Sequence, residues 1–298
     1  MLCALAAACC FALAAVVQHG AARESGRRML SIGLLVALVR NPRWLAGGVL
    51  GALSFAIMGL ALAFGPLSLV QPIAATDVLF ALPMIAVRHR YRLTRRDWVG
   101  AIAVGSGIAV FLTVSPPVAG VSAPGIVAWI PVLASVSGVN ALAAVLAWRV
   151  RGRARVIWLA AAAGVTFGVV DALTKSFVDL LASQGSAALV SWEPYALMAA
   201  GLLGALVSQS AFQAGALSVS LPVIDTLEPV SAVLIAATVF SERLASSPGQ
   251  LAAQLAGGAV AVAGIAALSR SSVAAAEVRQ PAAADQGTQP QTGRPATR

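Results

Sequence analysis

Charge is what this sequence lacks most. Only 10% of its 298 residues are Asp, Glu, Lys or Arg, against 59% apolar, and the mean hydropathy is +0.87. A soluble globular domain carries about 25% charged residues, so lipid has to serve as solvent for much of this chain. Histidine and cysteine are also scarce, with two and three residues. Cys3, Cys9 and Cys10 share one apolar run without metal-ligand spacing and read as buried small hydrophobes. His19 and His89 belong to no HExxH, and neither a GxSxG elbow nor a GxxxxGK[ST] phosphate cradle occurs. These absences speak against zinc proteases, α/β-hydrolase chemistry and nucleotide-driven pumping. We expect no enzyme and no cofactor, with an aspartyl pair from Asp77 and Asp225 as the catalytic arrangement left open. Lysine is rarest of all: of twenty basic residues, Lys175 is the single lysine.

The apolar residues come in runs of ~17 to 25, the length of a helix crossing a ~30 Å hydrocarbon core and too long for barrel strands. The expected fold is therefore an all-α polytopic membrane protein. Nine spans are expected, at about 2–20, 44–64, 66–87, 98–114, 124–148, 156–181, 195–214, 217–240 and 251–268. The apolar stretch 29–39 is too short to span and reads as interfacial or re-entrant, with a tenth span as the alternative.

A net charge of +9 suggests nucleic acid at first sight, but the arginines follow the positive-inside rule. They cluster after the first, third and fifth spans: Arg23, Arg27, Arg28, Arg40 and Arg43; Arg88, Arg90, Arg92, Arg95 and Arg96; Arg149, Arg151, Arg153 and Arg155. The segment 115–122 is uncharged, and the loops 184–194 and 241–250 carry little charge. The expectation is a cell-membrane protein with its N-terminus outside, its C-terminus cytoplasmic and a first helix that is retained. Its partners are then the lipid bilayer and a small solute or cation, not nucleic acid, and a homodimer is left open. Trp98, Trp148, Trp158 and Trp192 fall at expected interfaces as belt anchors.

The chain also repeats itself. GVLGAL at 48–53 recurs as GLLGAL at 201–206, FGPLSLVQP at 64–72 as AGALSVSLP at 214–222, and GAIAVGSGIAVFL at 100–112 as GGAVAVAGIAALS at 257–269. Gln18-His19 corresponds to Thr174-Lys175. This divides the chain into a first repeat at 1–115, a connecting helix and basic loop at 116–155, a second repeat at 156–270 and a disordered tail at 271–298. A single connecting span makes the second repeat enter the membrane from the opposite side. Inverted repeats holding a midplane site are a recurrent plan of secondary transporters.

The stretch NPRWLAGGVLGALSFAIMGLALAFGPLSLVQPIAATDVLF and its echo SQSAFQAGALSVSLPVIDTLEPVSAVLIAATVFSERL resemble the EamA-like repeats of the drug/metabolite transporter (DMT) superfamily. Those repeats carry spaced prolines before an apolar run ending in Glu. Here that residue is Glu242, and its first-half counterpart is replaced by the 88–96 loop. The nine-span layout and the sixth-helix lysine look most like the NIPA-type magnesium transporter branch. The resemblance implies transport of a small solute, with magnesium as the lead and a proton-coupled exporter of an organic metabolite or drug as the alternative. A scaffold subunit without transport is the third reading.

Counting inward from the span ends places Asp77, Asp225 and Glu228 near mid-bilayer, on repeat-equivalent helices. A carboxylate there costs ~2.5–3.5 kcal/mol on insertion scales, so intramembrane carboxylates point to a function. We therefore expect Asp77, Asp225 and Glu228 to bind substrate or a metal ion, with Thr76, Thr226 and Gln71 beside them. Pro72 and Pro222 break their helices at equivalent positions and free carbonyls for a cation. Pro66, Pro83 and Pro229 lie on the same two spans. Asp171, Lys175 and Asp179 recur at four-residue spacing on one face of the sixth span, which places them on the substrate path or, for Lys175, at a snorkelling position. Gln209, Gln213 and Asn140 line the same cavity or bond helix to helix. Gly47/Gly51 and Gly164/Gly168 are expected at close helix crossings.

Overall fold

The computed structural model describes residues 2–25, 29–64, 76–88, 90, 92–114, 124–241 and 247–270, with the side chains of 58–64, 112 and 269 outside that description. Gln71, Pro72, Pro66, His89, Glu242, the segment 115–122 and the tail 271–298 lie outside the described residues.

Helix is dictated by composition here. In hydrocarbon each backbone N–H and C=O has to find its partner within the segment, and an apolar run of leucine and alanine does so as an α-helix. The described chain forms ten α-helices and no strand. They are α1 (Leu2–Glu24), α2 (Ile32–Val39), α3 (Pro42–Phe64), α4 (Asp77–Arg88), α5 (Arg95–Thr113), α6 (Ile126–Arg149), α7 (Arg153–Gln184), α8 (Glu193–Ala214), α9 (Leu217–Thr238) and α10 (Pro248–Ser269). Among the described residues six helices, α1 and α6 to α10, are long and apolar enough to cross a membrane. The chain is thus an all-helical multi-pass membrane protein.

The three other expected spans are described only in part: the side chains of α3 as far as Ile57, the third span from Thr76 onward, and α5 without the side chain at position 112. Thr94 N–H and Oγ1 both donate to Asp97 Oδ2 at 2.7 Å, which fixes the start of α5 and accounts for that buried carboxylate. The short helix α2 is capped by Ser31, whose Oγ accepts from Leu34 N–H at 3.2 Å. Its eight residues rise only ~12 Å, too little to span, so the tenth-span alternative falls.

One end of the bundle carries the arginines. Arg43 Nη1 lies 3.0 Å and Arg88 Nη2 4.0 Å from the Glu24 carboxylate, joining the ends of α1, α3 and α4. Val156, near the start of α7, packs on Ala216 and Val219 of the α8–α9 turn at the same end.

The main core is built from α1, α2 and α4 to α10 around Leu82, Ile85, Val104, Leu159, Leu217 and Leu221. A second cluster at the other end joins α6, α7, α8 and α9 through Trp129, Leu173, Ile235 and Phe240. The helices α1 and α3 pair along their length, as do α7 and α8, and α5 pairs with α10. In the α5–α10 contact a Cβ on Gly107 would sit 2.6 Å from Gly257 O, and one on Gly257 would sit 2.8 Å from Gly107 O. Gly264 meets Gly100 O at 2.7 Å in the same way. These helices therefore run antiparallel, backbone against backbone. The contact is reciprocal under the pairing of Gly100 with Gly257 and Gly107 with Gly264 that the sequence match makes.

Several expectations are corrected at this level. Gly47 does sit at a crossing, where an added Cβ would lie 3.2 Å from Ala14 O, and Gly164 and Gly168 both face the backbone of α9, but a Cβ on Gly51 would meet nothing within 4 Å. Trp98, Trp148 and Trp158 are exposed, whereas Trp192 turns inward, its ring 5.8 Å from that of the fully buried Trp129. Cys3, Cys9 and Cys10 are half-buried and free.

Candidate functional site

Four carboxyls from three helices meet inside the bundle. Asp77 is the first residue of α4, after a turn at Thr76, and is 3% exposed. Its Oδ1 accepts from Val78 N–H at 2.7 Å. A carboxylate at a helix N-terminus also gains from the helix dipole. Asp225 and Glu228 lie three residues apart on α9, on one face, and Asp171 projects from α7 toward them. The Asp77 and Asp225 carboxyls are close neighbours that interact directly, and so are those of Asp171 and Glu228. Glu228 is close enough to Asp77 and Asp225 for direct electrostatic repulsion. Asp225 Oδ2 is buried without a partner.

From the sequence, a metal set of Asp77, Asp225 and Glu228 is expected. Among the described residues no three His, Cys, Asp or Glu side chains are placed to hold a metal ion. The physical reason is the pairing itself: the four acids are strung out two by two along α9. Two carboxylates held this close repel unless one of them takes up a proton, so each pair is suited to share one.

The other expected residues divide between this row and helix packing. Thr226 is buried beside Asp225, but its Oγ1 donates to Pro222 O at 2.7 Å, back into its own helix. Pro222 is buried inside α9, Pro229 follows Glu228, and Pro83 lies inside α4. Lys175 Nζ lies 4.6 Å above the Phe240 ring, a cation–π distance, on the exposed side of α7. Asn140 Nδ2 donates to Thr166 Oγ1 at 2.9 Å and ties α6 to α7.

Gln209 and Gln213 lie away from the acids, in a polar contact between α1 and α8 at the arginine-bearing end. Gln209 Nε2 donates to Gln18 Oε1 at 3.0 Å, and Gln213 Nε2 to Ser25 Oγ at 3.1 Å. His19 Nε2 donates to Gly215 O at 2.8 Å, with its ring edge-on to Phe212, and Leu30 N–H donates to Ser210 Oγ at 2.9 Å. In the sequence, Gln18 is marked only by the repeat, and His19 by the repeat and by its rarity. The signal that marks this contact is the run Ser208, Gln209, Ser210 and Gln213, which puts polar groups on an otherwise apolar helix.

No family model matches the chain, and no solved structure does. An uncharacterized protein of Corynebacterium glutamicum is 35% identical over 245 residues, covering 80% of this chain and 84% of that protein. At that identity and coverage the two share one ancestry and one architecture, and the chain belongs to the family of that corynebacterial protein.

Proposed function

We propose that the chain is a secondary transporter, built as two inverted four-helix repeats around a connecting α6, that moves a small solute in exchange for protons carried by the Asp77, Asp225, Glu228 and Asp171 row. The observation that carries this reading is the pairing of neighbouring carboxyls, one pair of which, Asp77 with Asp225, crosses from the first half to the second. A proton shared across the contact between halves is a load that changes when the halves move apart, which is what coupling requires. The reciprocal glycine contact of α5 with α10 supports the inverted arrangement, because a two-fold axis in the membrane plane relates antiparallel helices in that way. The DMT-like motifs point in the same direction. On the positive-inside rule the arginine-bearing end is cytoplasmic.

Paired acids favour a proton over magnesium as the coupling ion, since Mg²⁺ demands octahedral oxygen geometry from converging ligands. Purified protein in liposomes with a pH-sensitive dye inside and an imposed pH gradient tests the reading. Proton movement that Asp225→Asn abolishes is the expected result. A magnesium-sensitive dye that responds while the pH dye does not would return the assignment to magnesium.

A further inference from the structure

We propose that the carboxyl row is reached by water and protons from the end opposite the arginines, with Asp171 as its port and the second half of α7 as the wall of a hydrated vestibule. This rests on the transport reading only for what passes through the port; the vestibule itself is a claim about solvent.

Exposure rises steadily along the row: Asp77 is buried, Asp225 and Glu228 are half-buried, and Asp171 is exposed. Beyond Asp171 the exposed face of α7 continues through Thr174, Lys175 and Val178 to Leu181 and Ala182, with Asp179 half-exposed at its edge. Steps of three and four residues make this one strip of the helix surface. Asp171 stands thirteen residues before Gln184, about 20 Å from the helix end at ~1.5 Å per residue, and its short side chain cannot snorkel that distance. A charged group facing hydrocarbon at such depth costs ~2.5–3.5 kcal/mol. Water facing the strip removes that cost, and lipid facing it does not.

The opposite end is closed. Four hydrogen bonds join α1 and the segment after it to α8 and the turn that follows, among buried residues such as His19, Gln209 and Ser210. One end of the row is therefore locked and the other is open through Asp171, which neighbours Glu228 directly and would hand it a proton. In that relay the proton on Asp171 moves to the Glu228 carboxylate, and Asp171 is left as the carboxylate for the next proton from water, so charge and protons balance.

The experiment starts from a variant with Cys3, Cys9 and Cys10 replaced by alanine. Thr174→Cys and, as a lipid-facing control on α6, Leu142→Cys are treated in intact cells with a charged, membrane-impermeant methanethiosulfonate. We expect Thr174→Cys to react at least tenfold faster than the control. Equal rates, or reaction of Thr174→Cys only after the cytoplasmic side is opened, overturn the vestibule. In liposomes Asp171→Asn should lower proton flux about tenfold, with Asp171→Glu restoring most of it, and an Asp171→Asn flux equal to that of the unsubstituted protein overturns the port. If the unsubstituted protein moves no protons, the transport reading fails while the labelling result still decides the vestibule.

Discussion

Gln18 and His19 on α1 and Thr174 and Lys175 on α7 occupy matching places in the two alignable halves, yet the fold treats them oppositely. The first pair is packed against the other half, His19 at 4% exposure and bonded to Gly215 O, with Gln18 bonded to Gln209. The second pair is exposed, and Lys175 rests on the ring of Phe240 within its own half. Two matching halves with no functional asymmetry would bury matching residues alike. The difference teaches that the two ends of the bundle are built differently, one tied between α1 and α8 and the other exposed along α7. The carboxyl row lies between the two, so breaking the row, the α5–α10 crossing or either end tests a different part of that comparison.

The largest effect is expected at the row. Asp225→Asn keeps the side-chain volume and removes the group that shares a proton with Asp77, so proton movement should fall ~100-fold or more, the scale of losing a positioned proton carrier. Expression and thermal unfolding in detergent should stay near those of the unsubstituted protein. Normal transport by Asp225→Asn would remove the row from the mechanism and leave the open and locked ends without a load to expose.

Next comes the crossing that both halves share. A Cβ on Gly107 would meet Ala261 N at 2.5 Å and Gly257 O at 2.6 Å, and backbone atoms cannot swing aside. Gly107→Val should therefore destabilise the protein by ~1–3 kcal/mol through overpacking, read as a lower unfolding temperature. Gly51→Ala meets nothing within 4 Å and should be neutral or stabilising by up to ~1 kcal/mol, the usual cost of glycine in a helix. Equal losses in the two variants would mean that α5 and α10 do not cross at their glycines.

The pattern of the fold was legible because lipid leaves the chain so few options. Six spans at 2–20, 124–148, 156–181, 195–214, 217–240 and 251–268 recur as α1 and α6 to α10, displaced only at their ends, where polar residues such as Arg153 and Gln184 extend a helix beyond the hydrocarbon. What could not be read was which face meets which neighbour. Gly51 and Gly107 look alike in an apolar run, and only the partner helix separates a crossing from open surface. Trp192 follows the belt pattern but faces Trp129, which tertiary packing decides. Asp77, Asp225 and Glu228 stood out through the cost of charge in lipid and their matching places in the repeat. That Asp171 joins them and neighbours Glu228 depends on how α7 and α9 are set against one another, and sequence spacing carries no such information.

At the open end, Lys175→Ala removes the ammonium above Phe240. Cation–π contacts of this kind contribute ~0.5–1 kcal/mol at exposed sites, which corresponds to a two- to fivefold change in rate. Proton flux should fall by about that factor, well short of the Asp225→Asn loss. Should Lys175→Ala prove inactive while Asp225→Asn works, the strip on α7 is the centre of function and the row is not.

The smallest effect belongs to the locked end, where the comparison is most sensitive to a single bond. Gln209 Nε2 donates to Gln18 Oε1 at 3.0 Å, while Gln209 Oε1 is buried with no partner, so the side chain is held by one bond across the interface. Hydrogen bonds between membrane helices average ~0.6 kcal/mol in measured cycles, which is about threefold in a population ratio. Gln209→Ala should thus raise the fraction of molecules open at the arginine-bearing end about threefold without altering the chemistry of the row. The readout is the rate at which a charged thiol reagent applied from that side reaches a cysteine placed at Ser25, in the variant lacking Cys3, Cys9 and Cys10. A threefold faster reaction with unchanged unfolding temperature marks the bond as part of a lock. An unchanged rate with a lower unfolding temperature marks it as ordinary packing, and the asymmetry between His19 and Lys175 then reflects fixed structure and not the state in which the two halves stand.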